Sequence, residues 1–373
     1  MPNYSIDTRT LKPGDIYIPI KGPRFDGHDF IEDAKKKGAS QILDVDLGQF
    51  AKSHRQKFSI PVIGITGSSG KTTVKDMLTA VLKEKFKNVV SSFENQNNEV
   101  GVPLTLLKIN EESQAVVIEM AMRARGEIKY LAELTAPTHV GITSLGTAHL
   151  ERLGSREEIA RAKAEIFYPG CKVFINHALP FQKILIETAQ AQKCQIIFFE
   201  EKDLLKQNEM LVTVIAKDLG LSEKQIEAGI AHMKRSSHRM AVLNLKNNIT
   251  VIDDSYNANP DSMHYAVQIL KTMPMPSQGR KILIAGDMLE LGDQAAELHA
   301  GLDLKDIDCV LTLGLLSKNI TSGKKVLHFD ERDVLWETLQ SELKAGDQIL
   351  IKGSRGMKME WFVEKLKEQH VND

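Results

Sequence analysis

The chain has 373 residues, 42% of them apolar and 26% charged, with a formal charge of −1. That is the composition of a globular protein of two or three domains, and the balanced charge gives no electrostatic footing for a nucleic-acid or membrane surface. No apolar run approaches the ~18 residues of a membrane span, and MPNYSIDTRTLKPGD lacks the apolar core of a signal peptide. A cytoplasmic protein without membrane insertion is expected. Cys171, Cys194 and Cys309 are odd in number and form no C-x-x-C pair, so they read as buried, reduced thiols.

Short apolar runs alternate with helical patterns, which predicts an α/β fold of parallel sheets with crossover helices. Residues 60–65 (IPVIGI) read as a buried strand. A glycine-rich turn follows, then a helix whose apolar face is Val74, Met77, Leu78, Val81, Leu82 and Phe86. Further strands are expected at 115–120, 138–145, 171–176 and 194–199, and a second series at 249–252, 281–286, 309–314 and 348–352. A polar joint at 51–58 and a hinge at 232–240 divide the chain into 1–58, 59–235 and 236–373.

The turn after the first long strand reads Gly64-Ile65-Thr66-Gly67-Ser68-Ser69-Gly70-Lys71-Thr72-Thr73. Between a strand and a helix, glycines let backbone N–H groups turn inward around phosphate oxygens, and the helix N-terminus adds partial positive charge. Lys71 can reach the β- and γ-phosphates of a nucleotide, and the Thr72 hydroxyl can ligate Mg²⁺. The general motif has its first glycine where Ile65 stands.

Three residues further on call for an explanation. Glu119 ends the apolar strand AVVIE, where an unpaired carboxylate would be costly; a cation ligand fits. His149 follows a strand in GTAHLERLGS and reads as either a structural histidine or a second ligand. Ser155 and Glu158 have capping-box spacing at the start of SREEIARAKAEIF, which places Ile159, Lys163, Ile166 and Phe167 on one face. Lys163 is then either a snorkelling lysine or a buried amine that has lost its proton.

A-H-L-E followed by a helix with K-x-E-[IL]-F resembles the Mur ligase family, as does the T-G-x-x-G-K-T form of the phosphate loop. The resemblance implies a three-domain architecture: a substrate-binding N-terminal domain, a central ATPase domain and a C-terminal Rossmann-like domain. It implies that Lys163 is carbamylated by CO₂, and that Thr72, Glu119, His149 and carbamylated Lys163 serve two Mg²⁺ ions. Lys71, Glu119, His149 and Lys163 are then the catalytic set, and Gly67, Ser68, Ser69, Gly70, Lys71, Thr72 and Thr73 hold ATP. Asp7, Thr8 and Arg9, with Asp26 and His28 of GPRFDGHDF, resemble the uridine-nucleotide-binding element. ENQNNEVGVPLTLL puts Asn97 and Asn98 near the substrate. DDSYNANPDSM and AGDMLELG resemble the family's D-alanyl-D-alanine-adding branch, with Arg239, Asp254, Tyr256 and Asn257 approaching the nucleotide. IKGSRGMKME adds Ser354 and Arg355 on the substrate side.

On that resemblance the expected reaction is ATP-dependent amide formation between D-alanyl-D-alanine and a UDP-linked muramoyl tripeptide, by a monomer, in peptidoglycan precursor synthesis. The alternative is a Mur-type ligase acting on another acyl acceptor and amine. A phosphate-loop motor or regulator would need neither Lys163 on an apolar face nor DDSYNANP, and a degenerate binding protein would not keep Lys71, Thr72, Glu119, His149 and Lys163 together. Three departures accompany the match. The N-terminal element and the central domain are expected to be shortened, leaving Asn208 after Gln207 as the adenine contact. The family's E-M-G and I-T-N read here Glu119-Met120-Ala121 and Ile142-Thr143-Ser144. No general base is assigned, and His264 and His299 qualify only by residue type.

Overall fold

The computed structural model describes residues 3–22, 25–233, 237–275 and 279–370. The boundary drawn at 235/236, the centre of the 232–240 hinge, and Pro23 and Arg24 of the GPRFDGHDF loop lie outside the described residues.

Three sheets follow one another along the chain. The first is small and parallel: β1 (Tyr4–Ser5), β2 (Ile16–Tyr17) and β3 (Gln41–Ile42), in the order β1-β2-β3. Its core holds Leu11, Tyr17 and Ala34, with the Tyr17 hydroxyl donating to the Gly27 carbonyl at 2.9 Å. The expected polar joint at 51–58 is instead largely the second half of a docked helix, Leu47–Arg55. Ala51 is fully buried there, and Arg55, also buried, donates to the carbonyls of Thr135 and Phe58 at 3.0 and 2.6 Å. Arg55 thereby sets a cation against the C-terminus of the helix Glu127–Thr135, where the helix dipole favours one.

The second sheet is built from β4 (Val62–Thr66), β5 (Val89–Ser91), β6 (Ala115–Glu119), β7 (His139–Ile142), β8 (Lys172–Asn176) and β9 (Gln195–Phe199). The order is β5-β6-β4-β7-β8-β9, all parallel. Every residue of β4 and β6 is buried, as a parallel sheet covered on both faces requires. On one face the helices Lys71–Lys83 and Gln207–Asp218 pack through Val74, Leu78, Val81 and Val212. The stretch VTVIAKD, which followed the shortened segment in sequence, thus belongs to the second helix.

The third sheet comprises β10 (Ala241–Asn244), β11 (Thr250–Asp254), β12 (Lys281–Gly286), β13 (Cys309–Leu313), β14 (Val326–Phe329) and β15 (Gln348–Lys352). The last strand inserts between β11 and β12, giving β10-β11-β15-β12-β13-β14, with β10 antiparallel to β11. The two-residue strands β1, β2 and β3 and the part-exposed edge strands β5, β10 and β14 were missed by the apolar-run reading. Among the described residues no helix is long and apolar enough to cross a membrane. The three cysteines are free, and Cys171 and Cys194, on neighbouring strand starts, bring their sulfurs to 3.4 Å.

Candidate active site

Open α/β sheets bind ligands beyond the carboxyl ends of their strands, where the strand order reverses. Here the ends of β4, β6 and β7 face those of β11 and β15 across a cavity of about 440 Å³. The phosphate loop forms one wall. Gly67 has φ +155, and a Cβ there would meet Thr143 Oγ1 at 1.9 Å, so only glycine fits. Gly70, at φ +82, is the N-cap of the helix Lys71–Lys83. Ser144 braces the loop: its hydroxyl accepts from Ser69 N at 2.9 Å, and its carbonyl accepts from Ser68 N at 3.0 Å. The serine that replaces the family asparagine therefore has a defined structural role.

Lys71 Nζ donates to the Gly67 carbonyl at 2.8 Å, and Lys163 Nζ donates to the same oxygen at 3.0 Å. Lys163 is only 2% exposed and, among the described residues, has no acidic partner. Burial, together with the neighbouring charge of Lys71, pushes its amine well below the ordinary lysine range. Burial also lowers Lys71, opposed by the attraction of Glu119. Lys163 does not snorkel to the surface: it is buried beneath the loop, on the helix face that carries the fully buried Ile159 and Ile166. Its helix, Arg156–Ala164, starts as expected, with Ser155 Oγ accepting Glu158 N at 3.2 Å. The capping box is half made, because the Glu158 carboxylate turns to Arg125 and Arg161.

Glu119 is 1% exposed, and its two oxygens receive neutral donors, Thr72 Oγ1 at 2.8 Å and Asn97 Nδ2 at 2.7 Å. A buried carboxylate beside a hydroxyl at the mouth of a phosphate loop is a hard-oxygen donor set suited to Mg²⁺. Among the described residues no three His, Cys, Asp or Glu side chains converge on one point. A cation here would therefore need ligands from the nucleotide, Thr72 or a modified lysine as well. His149 lines the cavity in a left-handed conformation, φ 67, with Nδ1 2.7 Å from Glu290 Oε2. Burial lowers its pKa, and Glu290 opposes that shift.

The opposite wall comes from the third sheet. The Arg239 guanidinium stacks 3.9 Å from the Tyr256 ring centroid, with Arg355 over the same ring at 5.3 Å. Asp254 is held by Lys352 and by Met240 N. Asn259 caps the helix Pro260–Thr272 and accepts from Ser69 Oγ at 3.1 Å. Asp261 Oδ2 accepts from Thr147 N and Oγ1 at 2.9 and 3.1 Å. The two walls thus touch directly at the phosphate loop.

Family models match throughout the chain: "Mur ligase family, catalytic domain" at residues 2–103, "Mur ligase middle domain" at 65–253, and "Mur ligase, glutamate ligase domain" at 238–355. The chain belongs to the Mur ligase family. The UDP-N-acetylmuramoyl-tripeptide–D-alanyl-D-alanine ligase of Bacillus subtilis is 33% identical, over 98% of this chain and 93% of the relative. That alignment runs over 428 residues against the 373 of this chain, so segments of the relative have no counterpart here. Among solved structures, MurF from Acinetobacter baumannii superposes with a TM-score of 0.87 at 28% identity, covering 98% of this chain and 93% of that one. MurF from Thermotoga maritima in complex with ADP gives 0.84 at 26% identity, covering 99% and 97%.

Within this Mur ligase the cavity gathers Ser68, Ser69, Gly70, Lys71, Thr72, Thr73, Asn97, Asn98, Glu119, His149, Asn208, Arg239, Asp254, Tyr256 and Asn257. Asn208 lies over the phosphate loop: a Cβ on Gly70 would meet its amide oxygen at 2.8 Å. Asn98 serves its own backbone, accepting from Gly101 N at 2.9 Å to start a short helix. Ser354 is buried and ties three loops, donating to Ala258 O and accepting from Leu289 N. Arg355 adjoins the cavity through Asn257, whose side-chain oxygen accepts its N–H at 3.2 Å. Asp7, Thr8, Arg9, Asp26 and His28 lie in the loops and short helix around the first sheet and do not line the cavity. There Asp7 chelates Arg9, and Asp26 caps the turn at His28. Neither histidine considered as a base is placed for it. His264 is exposed, while His299 is fully buried, its ring pairing with Ala295 O and accepting from Met288 N. Asn259, Asp261, Lys352 and Glu290 were missed, since their partners are distant in sequence.

Proposed function

We propose that this ATP-dependent amide ligase joins D-alanyl-D-alanine to UDP-N-acetylmuramoyl-tripeptide, in the synthesis of peptidoglycan precursors that underlie cell shape and division. The observation that carries the reading is the shared cavity: the phosphate loop and Glu119 face the DDSYNANPDS segment across one space. A carboxylate is a poor electrophile toward an amine, so the γ-phosphoryl group of ATP passes first to the tripeptide carboxylate. The D-alanyl-D-alanine amine attacks the acyl phosphate, and the tetrahedral intermediate expels phosphate to leave the amide.

In this reading Lys71 stabilises charge on the transferring phosphoryl group. Thr72, Glu119 and His149 would hold two Mg²⁺ ions, with Lys163 as its carbamate. Bound Mg²⁺ supplies charge neutralisation at the phosphates. A deprotonated amine is the form that adds CO₂, and burial beside Lys71 favours that form. The carbamate would place an anion beside Lys71. Gly67, Ser68, Ser69, Gly70 and Thr73 cradle the phosphates; Asn208, Arg239, Asp254, Tyr256 and Asn257 surround the rest of the nucleotide. Asn97 orients Glu119. Asn98, Ser354 and Arg355 shape the substrate side, and Asp7, Thr8, Arg9, Asp26 and His28 meet the uridine nucleotide.

Residues 1–58, 59–235 and 236–373 act as substrate, ATPase and amine-carrying domains, with closure over ATP excluding water from the acyl phosphate. In this reading the enzyme works as a monomer in the cytoplasm, the compartment that supplies ATP. The test compares UDP-N-acetylmuramoyl-tripeptide with the same peptide lacking UDP, each with D-alanyl-D-alanine and ATP. A higher kcat/KM for the UDP-linked acid is expected; equal values would reject the uridine-nucleotide assignment and favour a ligase of another acyl acceptor.

A further inference from the structure

His149 and Glu290 lie in loops that follow strands of different sheets, β7 and β12, yet each adopts a left-handed backbone conformation rare outside glycine, φ 67 and φ 64. They meet side chain to side chain at 2.7 Å. The contact is reinforced by the backbone, where Glu151 N donates to the Glu290 carbonyl at 3.2 Å. Glu290 follows β12 in the loop that carries Asp287, Met288 and Leu289, whose backbone is anchored by Met288 N on His299 and Leu289 N on Ser354. Two strained residues facing each other across a cleft indicate a contact that the surrounding structure maintains.

An ionised carboxylate only accepts hydrogen bonds, so the proton of a neutral His149 ring must sit on Nδ1. The lone pair of Nε2 is then free, on a ring that lines the cavity. Free neutral imidazole favours the opposite tautomer, in which Nε2 carries the proton and cannot bind a cation. A carboxylate behind a histidine in this way sets both tautomer and ring orientation in metal sites.

We propose that Glu290 is a positioning residue that makes His149 competent as a cation ligand only when the third sheet is closed against the phosphate loop. The inference rests on the reading of His149 as a Mg²⁺ ligand. It adds that a ligand of the phosphate-loop side is oriented from across the domain interface, so cation binding and closure are coupled. The contacts of Asn259 with Ser69 and of Asp261 with Thr147 hold the same two walls together, which puts the carboxylate in reach when the cleft is shut.

The test uses the full chain with adenylyl imidodiphosphate, reading the tautomer of His149 by ¹⁵N NMR and Mn²⁺ affinity by EPR. Wild type should show His149 protonated on Nδ1. In Glu290→Ala the Nε2-protonated form should grow and Mn²⁺ affinity should fall about 10-fold or more. Glu290→Gln, whose amide oxygen can still accept from Nδ1, should lose less. An unchanged tautomer in Glu290→Ala, or an altered tautomer with unchanged Mn²⁺ affinity, would overturn the proposal. His149→Ala separates the two layers. A loss of Mn²⁺ affinity there but not in Glu290→Ala refutes the positioning role and leaves the ligand assignment standing. No loss in either variant removes the ligand assignment itself, and the proposal with it.

Discussion

The amines of Lys71 and Lys163 donate to one carbonyl oxygen, that of Gly67, at 2.8 and 3.0 Å. Positive charge on both amines at once would be repulsive, which favours the neutral form of Lys163, and Glu119 is the nearby carboxylate that favours the charge on Lys71. The arrangement suits incoming anions: phosphates against Lys71, and a carboxylate-like group on Lys163.

Lys71→Ala should lower ligation by about 100- to 1000-fold, the loss expected when one preorganised charge at the transferring group is removed. The circular dichroism spectrum should stay that of wild type. Near-normal phosphate release from the folded variant would show that the lysine is not at the reacting phosphates.

Lys163→Ala should lose activity by orders of magnitude, and added formate or acetate should restore part of it by occupying the place of the carbamate. Lys163→Arg, whose guanidinium stays charged and cannot carbamylate, should be inactive. Full activity in the arginine variant would make the lysine merely structural.

The depressed pKa of Lys163 also has a stability consequence. Between its folded pKa and the ordinary value of 10.5, the unfolded chain carries a proton here that the folded chain lacks. Unfolding then takes up a proton, so this group's contribution to stability rises with pH across that window and is smallest below it. In CO₂-free buffer, Lys163→Met should therefore melt higher than wild type, and the gap should narrow as pH rises from 7 to 9. Each unit of pKa depression corresponds to about 1.4 kcal/mol. A gap that widens with pH would contradict the burial of a neutral amine.

Gly67→Ala combines a left-handed backbone with a Cβ 1.9 Å from Thr143 Oγ1. The loop should lose about 2 kcal/mol or more, and titration calorimetry should show weakened binding of an ATP analogue. Binding equal to wild type would mean that the loop tolerates rearrangement.

Closure can be followed by small-angle scattering. Adding an ATP analogue with Mg²⁺ should compact the wild type, and Asp261→Ala, which removes the acceptor for Thr147, should reduce the change. Identical curves with and without nucleotide would count against a moving third domain.

The sequence by itself determined the features whose chemistry is local. Gly67 to Thr73 form a phosphate loop because glycines and a helix start lie side by side in the chain. Glu119 stood out as a carboxylate at the end of an apolar strand, and Lys163 as a lysine at an apolar helix position; both are buried as that spacing required. Runs such as DDSYNANPDSM located the far wall through resemblance. Tertiary structure alone decided what each side chain meets. Lys352 reaches Asp254 because β15, last in the chain, inserts between β11 and β12. Asn98 and Ser354 turned out to bind their own backbone surroundings, and the polar-looking segment with Arg55 became a buried helix end. Glu290 finds His149 although 141 positions separate them. Apolar periodicity records which face of an element is buried, but not which element covers it. Strand order and the packing of one sheet's loops on another's are fixed by the summed burial of the whole chain, so contacts across the cleft leave no local trace.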